Sequence, residues 1–140
     1  MARADFYLIA KPRFRDDPLL LVCELVKRAY TAEQPTLILA RTAEQADELD
    51  AKLWDFDEDS FIPHQIAGDE DDALTAVLIA PPGVETAARN LVINLRDECA
   101  EGTFERVLEV VAADSAERDG SRVRWSEYKR RGFELTKHDM

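Results

Sequence analysis

The sequence has few cysteines and no long apolar run, and each absence excludes a class of protein. Only Cys23 and Cys99 occur among the 140 residues, with no C-x-x-C pair and no metal-ligand spacing. We therefore expect two ordinary free thiols, with Cys23 in the apolar run 19–23. No apolar run approaches the ~20 residues of a membrane-spanning helix. Because Arg3 places a charge near the start and no signal-peptide layout follows, the expectation is a cytoplasmic protein without a membrane partner.

Glycine is also scarce, which argues against a nucleotide site. A glycine-rich turn lets the backbone approach a pyrophosphate closely. The five glycines are scattered along the chain, at Gly68, Gly83, Gly102, Gly120 and Gly132. The first predicted strand instead leads into residues 10–13, Ala-Lys-Pro-Arg, and the sequence has no P-loop.

Candidate catalytic and metal-binding residues are equally sparse. His64 is predicted in a loop and His138 in the C-terminal tail, and neither has a partner at ligand spacing. The acidic run 69–72 lacks the alternating ligands and central glycine of a calcium loop, so a solvated loop is expected. No serine or cysteine has a recognisable base partner, although a triad dispersed along the chain would not show in such a pattern. We expect no catalytic residue, metal or cofactor.

The charge is strongly negative except in one segment. The net charge is −11, and such a surface repels the phosphate backbone, so DNA is expected to be a partner only indirectly. Between residues 118 and 131 the balance reverses, with only Asp119 and Glu127 opposing six cations: Arg118, Arg122, Arg124, Lys129, Arg130 and Arg131. This segment is the strongest electrostatic feature of the sequence.

Apolar runs predict a series of buried strands, and helical periodicity predicts three helices. The strands cover residues 5–9, 36–40, 76–79, 91–95 and 107–111, with a short edge strand at 133–135. Asp17 and Pro18 are expected to cap and open the first helix, which has the apolar stripe Leu19, Val22, Cys23, Val26 and Tyr30. Residues 55–72 are predicted as a loop.

The other two helices carry clearer boundary signals. Thr42 and Gln45 form a capping box for the second helix, which ends near Trp54 and turns inward Ala46, Leu49 and Leu53. Asp114 caps the last helix, which runs to about Arg131 and ends at Gly132. The order of elements predicts one α/β domain over residues 1–140. Its sheet is open and mostly parallel with helices on both faces, a Rossmann-like fold without a nucleotide site.

Two segments have the composition of partner-binding surfaces. Residues 53–64 place Trp54, two phenylalanines and Ile62 in an acidic loop, as in many interfaces, although Trp54 and Phe61 could instead cover the core. In the last helix, Arg122, Trp125 and Lys129 share one stripe. Such a stripe suits an acidic peptide with an apolar end. The alternative is a solvated basic face with Trp125 half-buried.

The sequence resembles the chi subunit family of the bacterial DNA polymerase III holoenzyme over essentially its whole length. The likeness is carried by residues 6–8 (Phe-Tyr-Leu), 21–24 (Leu-Val-Cys-Glu), 53–54 (Leu-Trp), 60–64 (Ser-Phe-Ile-Pro-His) and 128–133 (Tyr-Lys…Gly-Phe). The resemblance implies a non-catalytic adaptor with an α/β fold. Such an adaptor pairs with the psi subunit of the clamp loader and binds the acidic, Phe-ended C-terminal tail of single-stranded DNA-binding protein.

The resemblance also implies site residues. The psi-facing patch would comprise Trp54, Phe61, Ile62, Pro63 and His64. The tail site would comprise Arg122 as carboxylate clamp, Trp125, Ser126 and Lys129. Trp125 stands where the family usually has Tyr, and Ser126 where it usually has Lys; Lys129, Arg130 and Arg131 are the cations available to compensate.

Two other functions compete with the adaptor. One is a nucleotide- or small-molecule-binding enzyme on a Rossmann-like sheet, against which the missing glycine turn argues. The other is an acidic DNA mimic, which the basic last helix makes less favourable.

Overall fold

The computed structural model describes residues 2–57, 61–69 and 72–140 as a single-sheet α/β structure. In chain order the elements are β1 (Arg3–Leu8), α1 (Pro12–Asp16), α2 (Pro18–Thr31), β2 (Thr36–Leu39), α3 (Ala43–Asp55), β3 (His64–Ile66), a 3-10 turn (Asp72–Leu74), β4 (Val77–Ala80), β5 (Leu91–Asn94), β6 (Arg106–Val111), α4 (Ser115–Arg130) and β7 (Glu134–Asp139).

The seven strands within the described residues pair in parallel, in the order β3-β4-β2-β5-β6-β1-β7. The central strands are buried on both faces, which is why their sequences are nearly continuous apolar runs. One core cluster joins α1, α2 and α3 to one face of the sheet, and a second joins α4 and the loops around residues 84–104 to the other. The predicted open α/β sheet with helices on both faces is therefore confirmed. Among the described residues no helix combines the length and apolarity needed to cross a membrane.

The predicted caps of the second and third helices are present. The Thr42 hydroxyl accepts a hydrogen bond from the Gln45 N–H, and the Asp114 carboxylate accepts one from the Glu117 N–H. Asp17 occupies the N-cap position of α2 as predicted, but its side chain makes no capping hydrogen bond and forms an ion pair with Lys52 instead. Pro18 still opens that helix, since its missing N–H costs nothing at the first helical position.

The apolar face of α2 is wider than predicted. Its buried residues are Leu21, Val22, Cys23, Leu25, Val26 and Ala29, whereas Tyr30, placed in the predicted stripe, is 39% exposed. The reason is that α2 packs against α1 and α3 as well as the sheet. A helix with neighbours on several sides buries more than one stripe.

Two strands depart from the sequence-based prediction. β3 lies inside the predicted loop 55–72 as a three-residue edge strand. β7 is longer than predicted, so His138, predicted in the C-terminal tail, lies in a strand. The His138 ring stacks on Tyr7, with 4.6 Å between ring centroids, and its Nε2 lies 3.0 Å from the buried Asp5 carboxylate.

The end of α4 sets the direction of β7. Gly132 has φ +89°, the left-handed conformation that favours glycine. Its N–H donates to the Lys129 carbonyl, and the Phe133 N–H donates to the Tyr128 carbonyl. This predicted glycine termination turns the chain directly into β7, beside β1.

Candidate partner-binding surfaces

Trp54 and Phe61 form an exposed aromatic pair, here called the aromatic surface. Trp54 is 53% exposed and Phe61 is 69% exposed, with 5.6 Å between their ring centroids. Trp54 lies in the last turn of α3, and the His64 ring at the start of β3 lies 4.8 Å from the Trp54 ring. Large aromatic side chains exposed together are uncommon unless a partner covers them.

Buried neighbours hold the aromatic surface in place. Ile62 is 3% exposed and belongs to the core, and Pro63 is half-buried. His64 is buried, with Nδ1 2.8 Å from the Ile62 carbonyl and Nε2 3.0 Å from the Asp50 carbonyl. Of the five residues assigned by resemblance to the psi-facing patch, Trp54 and Phe61 therefore present side chains to solvent, while Ile62 and His64 support them from inside.

A second surface, here called the basic groove, lies between α4 and the strands β1 and β7. It has a volume of about 450 Å³ and is lined by Phe6, Leu8, Arg118, Ser121, Arg122, Trp125, Ser126 and Lys137. Three of the four residues assigned to the tail site, Arg122, Trp125 and Ser126, line it together. Lys129 is exposed on α4 but is not part of this lining.

The groove combines an apolar floor with a cationic rim. Trp125 is partly buried and meets Phe6 edge to face, with 5.1 Å between ring centroids. The Arg122 side chain is 78% exposed and makes an ion pair of 3.1 Å with Asp119, itself 73% exposed. Exposed pairs of this kind contribute little, so Arg122 can exchange Asp119 for another carboxylate at small cost.

Sequence reasoning missed three groove residues on the strands: Phe6, Leu8 and Lys137. Phe6 and Lys137 are register partners in the parallel pair β1–β7, and both line the groove. No local pattern in the sequence reports that partnership, because it depends on which strands pair. Lys137 supplies a cation to the rim where Lys129 does not.

The basic run of α4 is more strongly neutralised than its sequence indicates. Arg124 is 5% exposed and pairs with Glu109, so this cation faces the interior. Arg130 and Arg131 both pair with Glu127, and their hydrogen bonds hold the pKa of Glu127 below its usual value. The six cations therefore do not form one surface, and Arg118 and Arg122 are the two that line the groove.

A buried polar network fixes α4 to the sheet behind the groove. The fully buried Glu109 carboxylate accepts hydrogen bonds from Arg124 Nε at 2.8 Å, Asn94 Nδ2 at 2.7 Å and the Tyr128 hydroxyl at 2.7 Å. Burial raises the pKa of Glu109, and Arg124 opposes this by favouring the charged form. Glu109 interrupts an apolar strand, which was the one signal in the sequence for this network.

Hydrogen bonds hold the side chain of Asp72, at the end of the predicted acidic loop. The Asp72 carboxylate accepts hydrogen bonds from the Gly68 N–H at 2.9 Å, the Asp69 N–H at 3.2 Å and Gln65 Nε2 at 2.8 Å. These bonds, first that from Gly68, lower the pKa of Asp72. Glu70 and Asp71 of the predicted acidic loop lie outside the described residues. Within residues 2–57, 61–69 and 72–140, no cluster of three or more His, Cys, Asp or Glu side chains could hold a metal ion.

Solved structures similar to this chain share its fold at low sequence identity. The C-terminal domain of the DEAD-box protein Dbp5 matches with a TM-score of 0.67 and 16% identity, covering 99% of this chain and 91% of that domain. A Saccharomyces cerevisiae Dbp5 C-terminal domain bound to Gle1 and IP6 matches with a TM-score of 0.63 and 16% identity, covering 99% and 90%. At such identity the likeness concerns the architecture alone.

Proteins found by sequence similarity match this chain at higher identity than these structures do. The DNA polymerase III subunit chi of Pseudomonas aeruginosa is 35% identical, with 100% of this chain and 98% of the relative covered. Its counterpart in Escherichia coli is 30% identical, with 96% of each chain covered. The family model described as "DNA polymerase III chi subunit, HolC" matches residues 1–136. The chain therefore belongs to the DNA polymerase III chi subunit family.

Proposed function

We propose that this protein is a cytoplasmic, non-catalytic adaptor of the replicative polymerase. It joins the clamp loader, through the psi subunit, to the acidic C-terminal tail of single-stranded DNA-binding protein. Family membership supports an accessory role in DNA replication. The observation that carries the finer proposal is the basic groove, a cationic rim over an aromatic floor on a protein of net charge −11.

The groove suits a peptide that is acidic and ends in an aromatic residue. Arg118, Arg122 and Lys137 attract carboxylates there, whereas the protein as a whole has a net charge of −11, so the charge distribution gives selectivity as well as attraction. The guanidinium of Arg122 can bind a carboxylate bidentately. Phe6, Leu8 and Trp125 offer apolar contact to a terminal ring.

The aromatic surface is the proposed psi contact. Trp54 and Phe61 are the exposed anchors, and Ile62, Pro63 and His64 hold them in position. Aromatic residues of this kind dominate binding energy at protein interfaces. We expect the protein to associate with DNA only indirectly, through its partner proteins, because the acidic surface disfavours direct contact with phosphates.

The two surfaces are far enough apart to be occupied together. The aromatic surface adjoins β3 at one edge of the sheet, and the basic groove adjoins β1 and β7 at the other. Six strand spacings separate β3 from β7, which is roughly 29 Å at about 4.8 Å each. This separation supports an adaptor, since one partner need not displace the other.

Titration of the protein with a short acidic peptide ending in Phe tests the groove by calorimetry. We expect micromolar binding, on the order of −8 kcal/mol, that weakens as salt screens the charges. The controls are the same peptide with an amidated C-terminus and the same peptide with its Phe replaced by Ala, and both should bind more weakly. Binding that is indifferent to salt and to both controls would contradict the proposal.

A further inference from the structure

Among the described residues the sheet ends at β7, and no strand pairs with the outer edge of β7, which is therefore open. β7 pairs with β1 in a register running from Arg3 opposite Glu134 to Leu8 opposite Asp139. The Glu134 N–H donates to the Ala2 carbonyl at 3.0 Å, and the Met140 N–H donates to the Leu8 carbonyl at 2.8 Å. Even-numbered residues of β7 thus direct their main-chain groups toward β1.

Main-chain groups of a strand point alternately to its two sides. Those of Leu135, Lys137 and Asp139 therefore point away from β1, toward the open edge. An exposed strand edge of this kind is a template for pairing with another extended chain. β7 has six residues, and every second one, three in all, faces outward.

The open edge adjoins the basic groove. Lys137 lines the groove beside Phe6, and Leu135 packs against the core cluster on the same face of the sheet as Tyr128 of α4. Arg118 and Arg122 lie across the groove on α4. A peptide extended along β7 would place alternate side chains over this rim of cations. Its main chain would form hydrogen bonds with the outward-facing main-chain groups of β7.

We propose that the acidic peptide binds as an added strand along the outer edge of β7. This rests on the proposed function of the basic groove and adds the way in which the peptide is held. Main-chain hydrogen bonds to Leu135, Lys137 and Asp139 supply sequence-independent affinity, and the groove selects acidic and aromatic side chains. The charges of Lys137, Arg118 and Arg122 identify an acidic peptide as the occupant.

Amide hydrogen exchange followed by NMR tests this directly. With the acidic, Phe-ended peptide at saturation, the amides of Leu135, Lys137 and Asp139 should exchange at least ~10-fold more slowly. Their neighbours on β7 already bond to β1 and should change little. A saturated complex in which these three amides are unaffected would overturn the added strand and leave the proposed function standing. If the peptide does not bind at all, both fail.

A pair of variants at one position separates the backbone from the side chain. Asp139→Pro removes an outward N–H without removing a bond to β1, and Asp139→Asn removes the same charge but keeps the N–H. We expect the Pro variant to bind the peptide at least ~5-fold more weakly than the Asn variant, with equal melting temperatures. Equal affinities would contradict the added strand. Protection of the three amides that rises with protein concentration alone would show pairing with a second copy, and would also overturn the proposal.

Discussion

Replacing Arg122 by Ala should weaken binding of the acidic peptide about tenfold. A hydrogen bond to a charged group contributes ~1.5–3 kcal/mol. The Arg122 side chain is 78% exposed in the free protein and must give up its pair with Asp119, which costs at most ~0.5 kcal/mol. We therefore expect the binding free energy to fall by about 1.5 kcal/mol, the lower limit of that range, which corresponds to roughly a tenfold loss of affinity.

Arg130 offers a matched control for this substitution. It lies on the same helix, its side chain is 77% exposed, and it also pairs with an acidic residue three positions earlier, Glu127. It does not line the basic groove. Calorimetry at low and moderate salt should show that Arg130→Ala binds almost like the parent, whereas Arg122→Ala loses affinity and part of the salt dependence. Equal effects of the two substitutions would refute a specific groove and leave only general attraction to a basic helix.

Three further predictions concern other parts of the molecule. Phe61→Ala should lower affinity for psi by about 2 kcal/mol in calorimetry without lowering the melting temperature, because the ring is 69% exposed; an unfolded variant or unchanged affinity would contradict the assignment. Although burial acts to raise the pKa of Asp5, hydrogen bonds from His138 and Arg106 hold it below its ordinary value. The stabilisation from Asp5 is therefore complete above about pH 4 and lost as pH falls through the folded-state pKa. In acid, the free energy of unfolding should consequently fall less steeply with pH in Asp5→Asn than in the parent. An identical slope in the two proteins would count against this. A panel of nucleotides should leave the melting temperature unchanged, since a real ligand would raise it by mass action.

Much of the fold could be predicted from local sequence signals. Buried parallel strands appear as short apolar runs, and the caps at Thr42 and Asp114 are contacts between residues three apart. These features need no knowledge of distant residues. β7 was predicted too short because its sequence, Glu134–Asp139, is mostly polar, as expected of an exposed edge strand.

The candidate site was less predictable, since it depends on contacts between distant segments. Phe6 and Lys137 meet only because β1 pairs with β7, and residue spacing cannot show this. Arg124 carries the same charge as Arg122, but Glu109 on β6 draws it into the interior. A helix rich in arginine does not reveal which of its cations are already paired.

We propose that this one small protein binds psi and the tail of single-stranded DNA-binding protein at the same time, through opposite edges of its sheet. Sedimentation of the protein mixed with both partners measures this directly. We predict a ternary complex, from which Arg122→Ala releases only single-stranded DNA-binding protein and Phe61→Ala releases only psi. Mutually exclusive binding of the two partners, or the loss of both through either substitution alone, would contradict the account.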